Sequence, residues 1–177
     1  FTRVDGLAGN QVLSAVVDNE GNLWFGTSGQ GLSKFIVSSD RFSSPFTEFS
    51  EFQLNDLTID GDRLYIASNV GISLFLTDVE RVKENYRQFG SYPRDAAVSA
   101  VAVHDGKLWV GTESGLAWAD LTEQNLQDPQ AWSTDDRVAP VADFLVGSNT
   151  LLAAAGQGIW RWDMFRERWI SESQMGV

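Results

Sequence analysis

The sequence predicts an all-β fold, a β-propeller of about four four-stranded antiparallel blades, on the strength of three observations. Short runs of β-branched and aromatic residues alternate with polar, glycine-bearing turns, a pattern typical of strands and not of helices. A bulky apolar position recurs in steps of 41, 44 and 43 residues, and a glycine that follows it recurs in steps of 40, 44 and 43. Repeats of about 40–45 residues with four strands are typical of propeller blades. The two series are Trp24, Tyr65, Trp109 and Leu152, and Gly31, Gly71, Gly115 and Gly158.

Each repeat is expected to contribute four strands in chain order. The first two strands of the four repeats are predicted at 12–17 and 22–27, 54–59 and 63–68, 98–103 and 107–112, and 141–146 and 150–155. The turns between them supply the positive φ angles of tight hairpins. The third strands are predicted at 32–35, 72–75, 116–118 and 159–162, and the fourth at 46–49, 86–89, 131–133 and 168–170. The polar segments 78–85 and 122–128 are expected to be loop insertions, with Thr77 and Thr122 as candidate helix caps.

Residues 1–177 are expected to form one partial propeller domain with blades at about 10–50, 51–90, 96–134 and 138–172. Residues 1–5 align one repeat before 46–49 and are therefore expected to be the outer strand of a preceding blade. Terminal repeats without polar caps leave apolar faces exposed. The sequence therefore favours part of a larger propeller, and the alternatives are a complete four-bladed ring and a dimer that completes an eight-bladed ring.

The composition argues against several classes of function. Thirteen basic and 24 acidic residues give a net charge of −11, so we expect no nucleic-acid partner, which would require a clustered excess of Lys and Arg. There is no cysteine and only one histidine, His104, so we expect no metal site and no cofactor. No apolar run approaches the roughly 18 residues that span a bilayer, and we expect no membrane insertion.

The first repeat carries a recognisable motif. It runs over 12–27 with Leu23-Trp24-Phe25-Gly26-Thr27 at its end and Gly31-Leu32 after it, and it resembles the two-component regulator propeller repeat. The third repeat, 105–112 with Gly115-Leu116, is similar, and Gly6-Leu7 resembles the usual lead-in; the second and fourth repeats depart from the motif at 65–68 and 152–155. The resemblance implies an extracytoplasmic protein, periplasmic or on the cell surface. Such repeats form the sensory propellers of bacterial hybrid signalling proteins, which are associated with carbohydrate sensing, and they also occur in secretion-associated surface proteins.

Groups that could carry chemistry are sparse. The acidic segments 18–20, 60–62 and 135–136 offer carboxylates for calcium or acid–base work, but their positions are those of solvated turns. Trp24 and Trp109 occupy the repeated core position and are expected to pack between blades. For the tryptophans in the last two repeats, rim packing and stacking on a sugar are both open interpretations. These are Trp132, Trp160, Trp162 and Trp169.

Any ligand is expected at one mouth of the central channel, where the loops between second and third strands meet the loops that enter the first strands. Their amide, guanidinium and carboxylate groups suit a carbohydrate, another hydroxyl-rich small molecule, or a peptide. The expected ligand-binding residues are Gln30, Asn69, Glu113 and Gln157 from the first set of loops, and Asn10, Arg94 and Arg137 from the second.

The sequence thus favours a non-catalytic recognition or sensory module that binds a small molecule or a protein. A structural scaffold in a surface or secretion assembly is the first alternative, and a propeller lyase or hydrolase is the second. Further blades of the same polypeptide, or a second copy of the chain, are the other expected partners.

Overall fold

The computed structural model describes residues 1–43, 45–156 and 158–172, and its sheets confirm the propeller architecture. There are four four-stranded antiparallel sheets, one for each repeat, and in each sheet the strands are neighbours in chain order. We number these blades 1 to 4. The strands are β1 (Val12–Val17), β2 (Leu23–Thr27), β3 (Leu32–Ile36), β4 (Arg41–Phe42), β5 (Leu54–Asp60), β6 (Arg63–Ser68), β7 (Gly71–Leu76), β8 (Arg81–Tyr86), β9 (Val98–His104), β10 (Lys107–Thr112), β11 (Gly115–Asp120), β12 (Ser133–Asp135), β13 (Val141–Gly147), β14 (Thr150–Ala155), β15 (Gly158–Asp163) and β16 (Arg168–Ser171).

The fourth strands of blades 1 to 3 lie elsewhere than predicted. They are β4, β8 and β12, whereas the strands predicted at 46–49, 86–89 and 131–133 are wrong apart from one overlapping residue each in the last two. The aromatic residues that suggested them are buried between blades, where Phe49 contacts Phe75 and Phe89 contacts Trp132. The polar segment at 78–85, expected to be an insertion, is largely β8, because an edge strand turns alternate side chains to solvent.

Helices are short wherever the structure describes the chain. They are the 3₁₀ turns Arg3–Asp5, Val37–Ser39, Thr47–Phe49 and Pro129–Ala131, and none of them is long and apolar enough to cross a membrane. Thr77 and Thr122 cap no helix among these. Their hydroxyls instead donate to the Asp62 carbonyl and the Asp120 carboxylate.

Residues 1–5 were expected to be an outer strand, and this is wrong. Arg3–Asp5 is a 3₁₀ turn, as Thr47–Phe49 is one repeat later. Thr2 and Asp5 form a capping box, and such local hydrogen bonds compete with strand pairing. The ring of Phe1 packs on Phe35 and Phe42, with centroids 4.7 and 5.2 Å apart, so the N-terminal segment lies against blade 1.

The hydroxyl and glycine of the repeat motif close the turn between the second and third strands. In three repeats a side-chain hydroxyl donates to the carbonyl oxygen of the recurring glycine. The bonds join Thr27 to Gly31 (2.6 Å), Ser68 to Gly71 (3.1 Å) and Thr112 to Gly115 (3.0 Å). A Cβ on Gly31 would lie 2.8 Å from the Phe46 carbonyl oxygen, and φ there is 101°. Both the close approach and the left-handed backbone require glycine.

The hydrophobic core lies between neighbouring blades. Trp24, Tyr65 and Trp109 are almost fully buried, and each packs into the cluster that joins its blade to the next. Trp24, for example, shares a cluster with Leu64 and Ile66 of blade 2. The repeated bulky position therefore marks the side of each blade that faces its successor, which confirms the packing predicted for Trp24 and Trp109.

The inner strands of successive blades are also tied by side-chain hydrogen bonds. Each inner strand has a register shift near its start, and in three blades a polar side chain at or beside that shift reaches the next inner strand. The bonds run from Ser14 Oγ to the Leu54 carbonyl (3.4 Å), from Asn55 Nδ2 to the Val98 carbonyl (2.8 Å) and from Ser99 Oγ to the Val141 carbonyl (2.5 Å). Blade 4 has Ala142 at its shift. Three consecutive junctions are thus linked in the same direction along the chain.

The four blades form an arc that is open over the described residues. Contacts join β1 to β5, β5 to β9, and β9 to β13. The strands at the two ends of this series, β1 and β13, expose most of their side chains, whereas β9 is largely buried. The structure is therefore a partial propeller, and the alternative of a closed four-bladed ring is wrong.

We expect the Asp18→Asn substitution to lower the free energy of unfolding by about 1–3 kcal/mol, because a buried donor loses its acceptor. The Asp18 carboxylate is buried and accepts hydrogen bonds from the Trp24 indole (2.9 Å) and from the backbone amide of Asn22 (2.8 Å). Burial alone raises the pKa of Asp18, but the hydrogen bonds from Trp24 and Asn22 outweigh it and hold the pKa below its ordinary value. The stabilisation is therefore present above about pH 4 and is lost as the pH falls.

Urea unfolding of the unmodified chain and of the Asp18→Asn variant at pH 7 and pH 3 measures the change in the free energy of unfolding. The exposed Asp105, in the corresponding turn of blade 3, supplies the matched control Asp105→Asn. Equal losses of unfolding free energy for Asp18→Asn and Asp105→Asn at pH 7 would contradict the stabilising role of the Asp18 carboxylate. A loss for Asp18→Asn that does not shrink at pH 3 would also contradict it.

Candidate functional site

The seven residues predicted to bind a ligand have different roles in the structure. Asn10 and Asn69 hold loops, since their Oδ1 atoms accept from the backbone amides of Arg3 (2.8 Å) and Gln53 (3.1 Å). The side chain of Gln30 lies over Gly9, and Glu113 is exposed in the β10–β11 turn. Gln157 lies outside the described residues. Two arginines remain, and they line two separate clefts.

The cleft at Arg94 has a volume of about 200 Å³ and an entirely polar character apart from one proline. Its lining is Asn85, Arg87, Gln88, Arg94, Gln127 and Pro129. Arg87 is already committed, because its Nη1 donates to the Val70 carbonyl (2.9 Å) and lies 3.5 Å from the Asp95 carboxylate. Arg94 reaches the same carboxylate at 3.7 Å. These guanidinium groups share one acid, which weakens the cleft as an anion site.

The cleft at Arg137 is larger, about 330 Å³, and combines a guanidinium group with an aromatic ring. It is lined by Arg137, Ala139, Ala155, Gly156, Gly158, Trp160 and Ser171. Gly156 and Gly158 flank Gln157 in the sequence. The cleft therefore includes one predicted site residue and both chain neighbours of a second, at the end of blade 4 where β14 turns into β15.

Arg137 is held in a fixed orientation by Asp135. The Nε and Nη2 atoms of Arg137 donate to the two carboxylate oxygens at 2.9 and 2.6 Å, and the backbone amide of Arg137 donates to the same side chain at 3.1 Å. The hydrogen bonds and the negative charge of Asp135 raise the pKa of Arg137, so the group stays ionised. A bidentate pair of this kind fixes the plane of the guanidinium. Its remaining N–H groups can therefore meet a ligand without a large loss of side-chain entropy.

Trp160 supplies the apolar wall of the cleft. It is partly buried against the cluster that joins blades 3 and 4, and it pairs with Ala153 and Ser171 across the sheet. A flat, anchored ring offers apolar area to the C–H face of a sugar. Trp160 and an oriented Arg137 together therefore provide one stacking surface and one set of hydrogen-bond donors.

A more voluminous hollow, about 590 Å³, lies along the loop between β11 and β12. It is lined by Thr122, Glu123, Gln124, Asn125, Asp128, Gln130 and Ala131. Asn125 and Asp128 use a side-chain oxygen to hold backbone amides of their own loop. Because the hollow has no aromatic wall and none of the seven predicted residues, the Arg137 cleft is the better candidate.

A carboxyl group that the sequence did not single out is Asp56, on the inner strand β5. Its Oδ1 accepts from the Leu57 amide and its Oδ2 from the Val101 amide of blade 3, each at 2.8 Å. Burial raises the pKa of Asp56 to about 6, against the opposing effect of these two hydrogen bonds and with a small contribution from Asp143. The group joins two blades and does not line any of the clefts above.

The structure shows where the tryptophans lie whose role, packing or ligand stacking, the sequence left open. Trp162 and Trp169 are buried in the same cluster as Trp109, and Trp132 is buried with its indole donating to the Leu126 carbonyl at 2.9 Å. These three pack between blades. The indole of Trp109 donates to the backbone carbonyl of His104 at 3.1 Å, a contact that does not involve the imidazole.

Comparisons with known proteins agree with this architecture. Residues 6–29 match the family model described as two component regulator propeller, and residues 47–133 match that of the N-terminal β-propeller domain of PorZ (TSS9). No curated protein sequence matches the chain.

Three of the similar solved structures illustrate the range of proteins that share the fold. PorZ, a surface component of the type-IX secretion system of Porphyromonas gingivalis, is 21% identical with a TM-score of 0.73 over 97% of this chain and 23% of its own. The extracellular domain of a hybrid two-component system from B. thetaiotaomicron is 18% identical with a TM-score of 0.77 over 97% and 24%. Virginiamycin B lyase from Staphylococcus aureus is 14% identical with a TM-score of 0.68 over 91% and 55%.

The chain thus spans about a quarter of the PorZ and two-component structures. At these identities the structures show the fold alone, and each of the two family models matches less than half of the chain. The match at 6–29 falls on the repeat whose motif carries the resemblance, from Gly6-Leu7 to Leu23-Trp24-Phe25-Gly26-Thr27. This chain is a β-propeller segment whose residues 6–29 match the model of the two component regulator propeller.

Proposed function

We propose that the chain is a non-catalytic recognition module of a bacterial extracytoplasmic protein and that it binds a carbohydrate in the Arg137 cleft. The observation that carries the proposal is one cleft lined both by the partly buried Trp160 and by Arg137, whose guanidinium group is fixed by Asp135. Sugar recognition uses this pairing of an apolar face with oriented donors. The extracytoplasmic location is supported by the family models and by neighbours that are extracellular or surface proteins.

A non-catalytic role is favoured over a lyase or hydrolase by the state of the carboxyl groups in the clefts. A cleft of about 180 Å³ is rich in acids and is lined by Asp18, Glu20, Asp62 and Asp78 together with Lys34. Asp18 is fully engaged by Trp24 and Asn22, and its pKa lies below the ordinary value, with burial opposing the hydrogen bonds. A general acid needs the opposite shift.

The test is titration of the chain with a panel of neutral and acidic oligosaccharides, followed by calorimetry and tryptophan fluorescence. For the saccharides that bind, we expect Arg137→Ala to weaken binding at least tenfold and Arg137→Lys to weaken it nearly as much, since a lysine cannot keep the bidentate pair with Asp135. Thermal melts should show little change, because the Arg137 side chain is 61% exposed.

Arg94→Ala is the matched control, an exposed arginine in the other cleft. Unchanged binding by Arg137→Ala, or a loss confined to Arg94→Ala, would reject the Arg137 cleft. Absence of binding across the panel would reject the carbohydrate.

A scaffold in a surface or secretion assembly is the second candidate function, and the match of 47–133 to the PorZ propeller favours it. Photo-crosslinking from the exposed Glu113 position, in the full-length protein on its own cells, separates the two. One discrete protein adduct that persists when Arg137 is replaced supports the scaffold. Saccharide binding without such an adduct supports recognition of sugars.

A further inference from the structure

A cleft of about 210 Å³ lies between the outer strands of blade 2 and the β11–β12 loop of blade 3. Both blades lie inside the arc, and each also contacts a further blade on its other side. We propose that this cleft binds a small zwitterion, a free amino acid with an apolar side chain, with the carboxylate at Arg63 and the ammonium group at Glu84. The proposal is independent of the saccharide site, which lies in the Arg137 cleft.

The strand register of blade 2 brings four polar side chains to this cleft. Tyr65 pairs with Leu74, and Leu74 pairs with Glu84 on the next strand. Arg63 precedes Tyr65 by two residues and Tyr86 follows Glu84 by two, and residues two apart in a strand share a face. All five line the cleft. Three of them, Tyr65, Leu74 and Tyr86, also belong to the core cluster that blades 2 and 3 share.

The cleft lies where blade 2 carries smaller side chains than the corresponding positions of its neighbours. The pair that corresponds to Tyr65 and Leu74 in blade 3 is Trp109 and Trp118, whose rings stack at 5.5 Å. In blade 1 the pair is Trp24 and Lys34, with the ammonium group 5.1 Å from the centre of the indole. A tyrosine beside a leucine occupies less volume than either pair, which leaves room at this junction.

Arg63 supplies the positive end of the cleft. This cleft and the two arginine clefts above contain four arginines, and the other three form ion pairs with acids. Within the described residues Arg63 has no ion pair. Its guanidinium donates to the Tyr65 hydroxyl, and this hydrogen bond, with smaller effects of Asp60 and Asp62, raises the pKa of Arg63. A guanidinium held by a neutral phenol keeps its charge available for a carboxylate.

Two buried tyrosine hydroxyls accompany the charged groups. Tyr65 and Tyr86 are only 1% and 2% exposed. Burial raises the pKa of both, so both keep their protons at neutral pH, and the charges of Arg63 and Glu84 act on each hydroxyl. The Tyr65 hydroxyl accepts from Arg63 and still has its own proton to donate. A ligand carboxylate at Arg63 can therefore accept from two neighbouring donors.

Glu84 supplies the negative end. Its carboxylate accepts from the Tyr86 hydroxyl at 3.2 Å and lies 3.6 Å from the Lys83 ammonium group. The Lys83 side chain is 49% exposed, and an exposed pair of this length contributes little. Among the described residues no ion pair joins Glu84 to Arg63. Two opposite charges thus remain separate within one cleft, where a single zwitterion can meet both.

The size and lining of the cleft indicate a ligand like an amino acid. Clefts for drug-sized ligands measure about 300–1,000 Å³, so a cleft of about 210 Å³ suits a smaller molecule. Two basic and two acidic side chains line it, which matches a ligand without net charge. Leu74 and Leu126 are buried and offer apolar contact to an aliphatic or aromatic side chain.

Calorimetric titration with chosen ligands tests the proposal without any substitution. The probes are L-leucine, L-methionine and L-phenylalanine, together with N-acetyl-L-leucine, which lacks the ammonium group, and L-leucinamide, which lacks the carboxylate. We expect the free amino acids to bind and the loss of either charge to weaken binding at least tenfold. Absence of binding by all three amino acids would overturn the proposal. Equal binding of L-leucine and N-acetyl-L-leucine would overturn the zwitterion.

Substitutions at the two ends of the cleft locate the site. We expect Arg63→Gln and Glu84→Gln each to weaken L-leucine binding at least tenfold. Arg81→Gln is the matched control, an exposed arginine on the same blade that is not part of the cleft lining. Lys83→Gln should not weaken binding, because Lys83 competes with the ligand ammonium group for Glu84.

Thermal melts establish that each variant is folded, and if one is not, the ligand series alone decides. Unchanged affinity of a folded Arg63→Gln protein, or an equal loss from Arg81→Gln, would overturn the placement. A loss from Lys83→Gln as large as that from Arg63→Gln would indicate a simple anion site and would overturn the zwitterion. Arg137→Ala should bind L-leucine like the unmodified chain, so the outcome at the saccharide site does not decide this one.

Discussion

Replacing Trp109 with alanine is expected to lower the free energy of unfolding by about 3–5 kcal/mol, the range for removing a fully buried large aromatic side chain. The ring is completely buried and contacts three other indoles, those of Trp118, Trp162 and Trp169, at 4.7 to 5.5 Å. Two of these belong to blade 4. The substitution therefore opens a cavity at the junction of two blades, which neighbouring strands cannot fill without losing their register.

Urea unfolding followed by circular dichroism measures the loss, and two variants define its origin. Trp109→Phe keeps most of the aromatic contact but removes the indole donor to the His104 carbonyl, and we expect about 1–2 kcal/mol from it. Val79→Glu, at an exposed turn, should cost less than about 0.5 kcal/mol. A loss below about 1 kcal/mol for Trp109→Ala would show that the blade junction is not the main source of stability.

Asp56→Asn is expected to become progressively more favourable relative to the unmodified chain as the pH rises from about 4 to about 6. Burial raises the pKa of Asp56 from its ordinary value of 3.8 to about 6, so the folded chain holds the proton more tightly than the unfolded chain. Stability from this group is complete below pH 4 and is lost as the pH rises to 6. The rise of the Asp56 pKa from 3.8 to about 6 corresponds to a loss of roughly 3 kcal/mol in the free energy of unfolding. An uncharged amide at this position avoids that loss.

Free energies of unfolding measured every half pH unit from 4 to 7.5 check this expectation. The quantity of interest is the difference between variant and unmodified chain, because titration of the other acids cancels in it. Asp105→Asn, at an exposed turn, is the matched control for the change from a carboxyl to an amide group. A difference for Asp56→Asn that does not change with pH would refute the raised pKa.

The spacing of the repeats predicted the blades well because the bulky residue that recurs is the one that packs between blades. Trp24, Tyr65 and Trp109 recur since each fills the same gap, and any sequence that fills it carries the signal. The edge strands were missed because they do not pack between blades and so lack this apolar signal. Arg81–Tyr86 is exposed on alternate residues and reads as polar, whereas Phe49 and Phe89 are apolar because they are buried at a junction outside any strand.

The candidate site was predictable only in part. Arg137 was named from the position of its loop in the repeat, but Trp160 lies 23 residues further along the chain and joins it in one cleft only through the fold. Asp56 was missed because one carboxylate within a strand reads as solvent-facing. Its environment is decided by the Val101 amide of another blade, a contact 45 residues away in sequence.

The side-chain ties between inner strands bear on how such a protein can change its length during evolution. Ser14, Asn55 and Ser99 each reach forward to a backbone carbonyl of the following blade, and a carbonyl is present whatever residue stands there. A tandem duplication of one repeat in the gene therefore carries its own donor and meets a ready acceptor. These polar ties therefore do not require compensating substitutions when a blade is gained or lost.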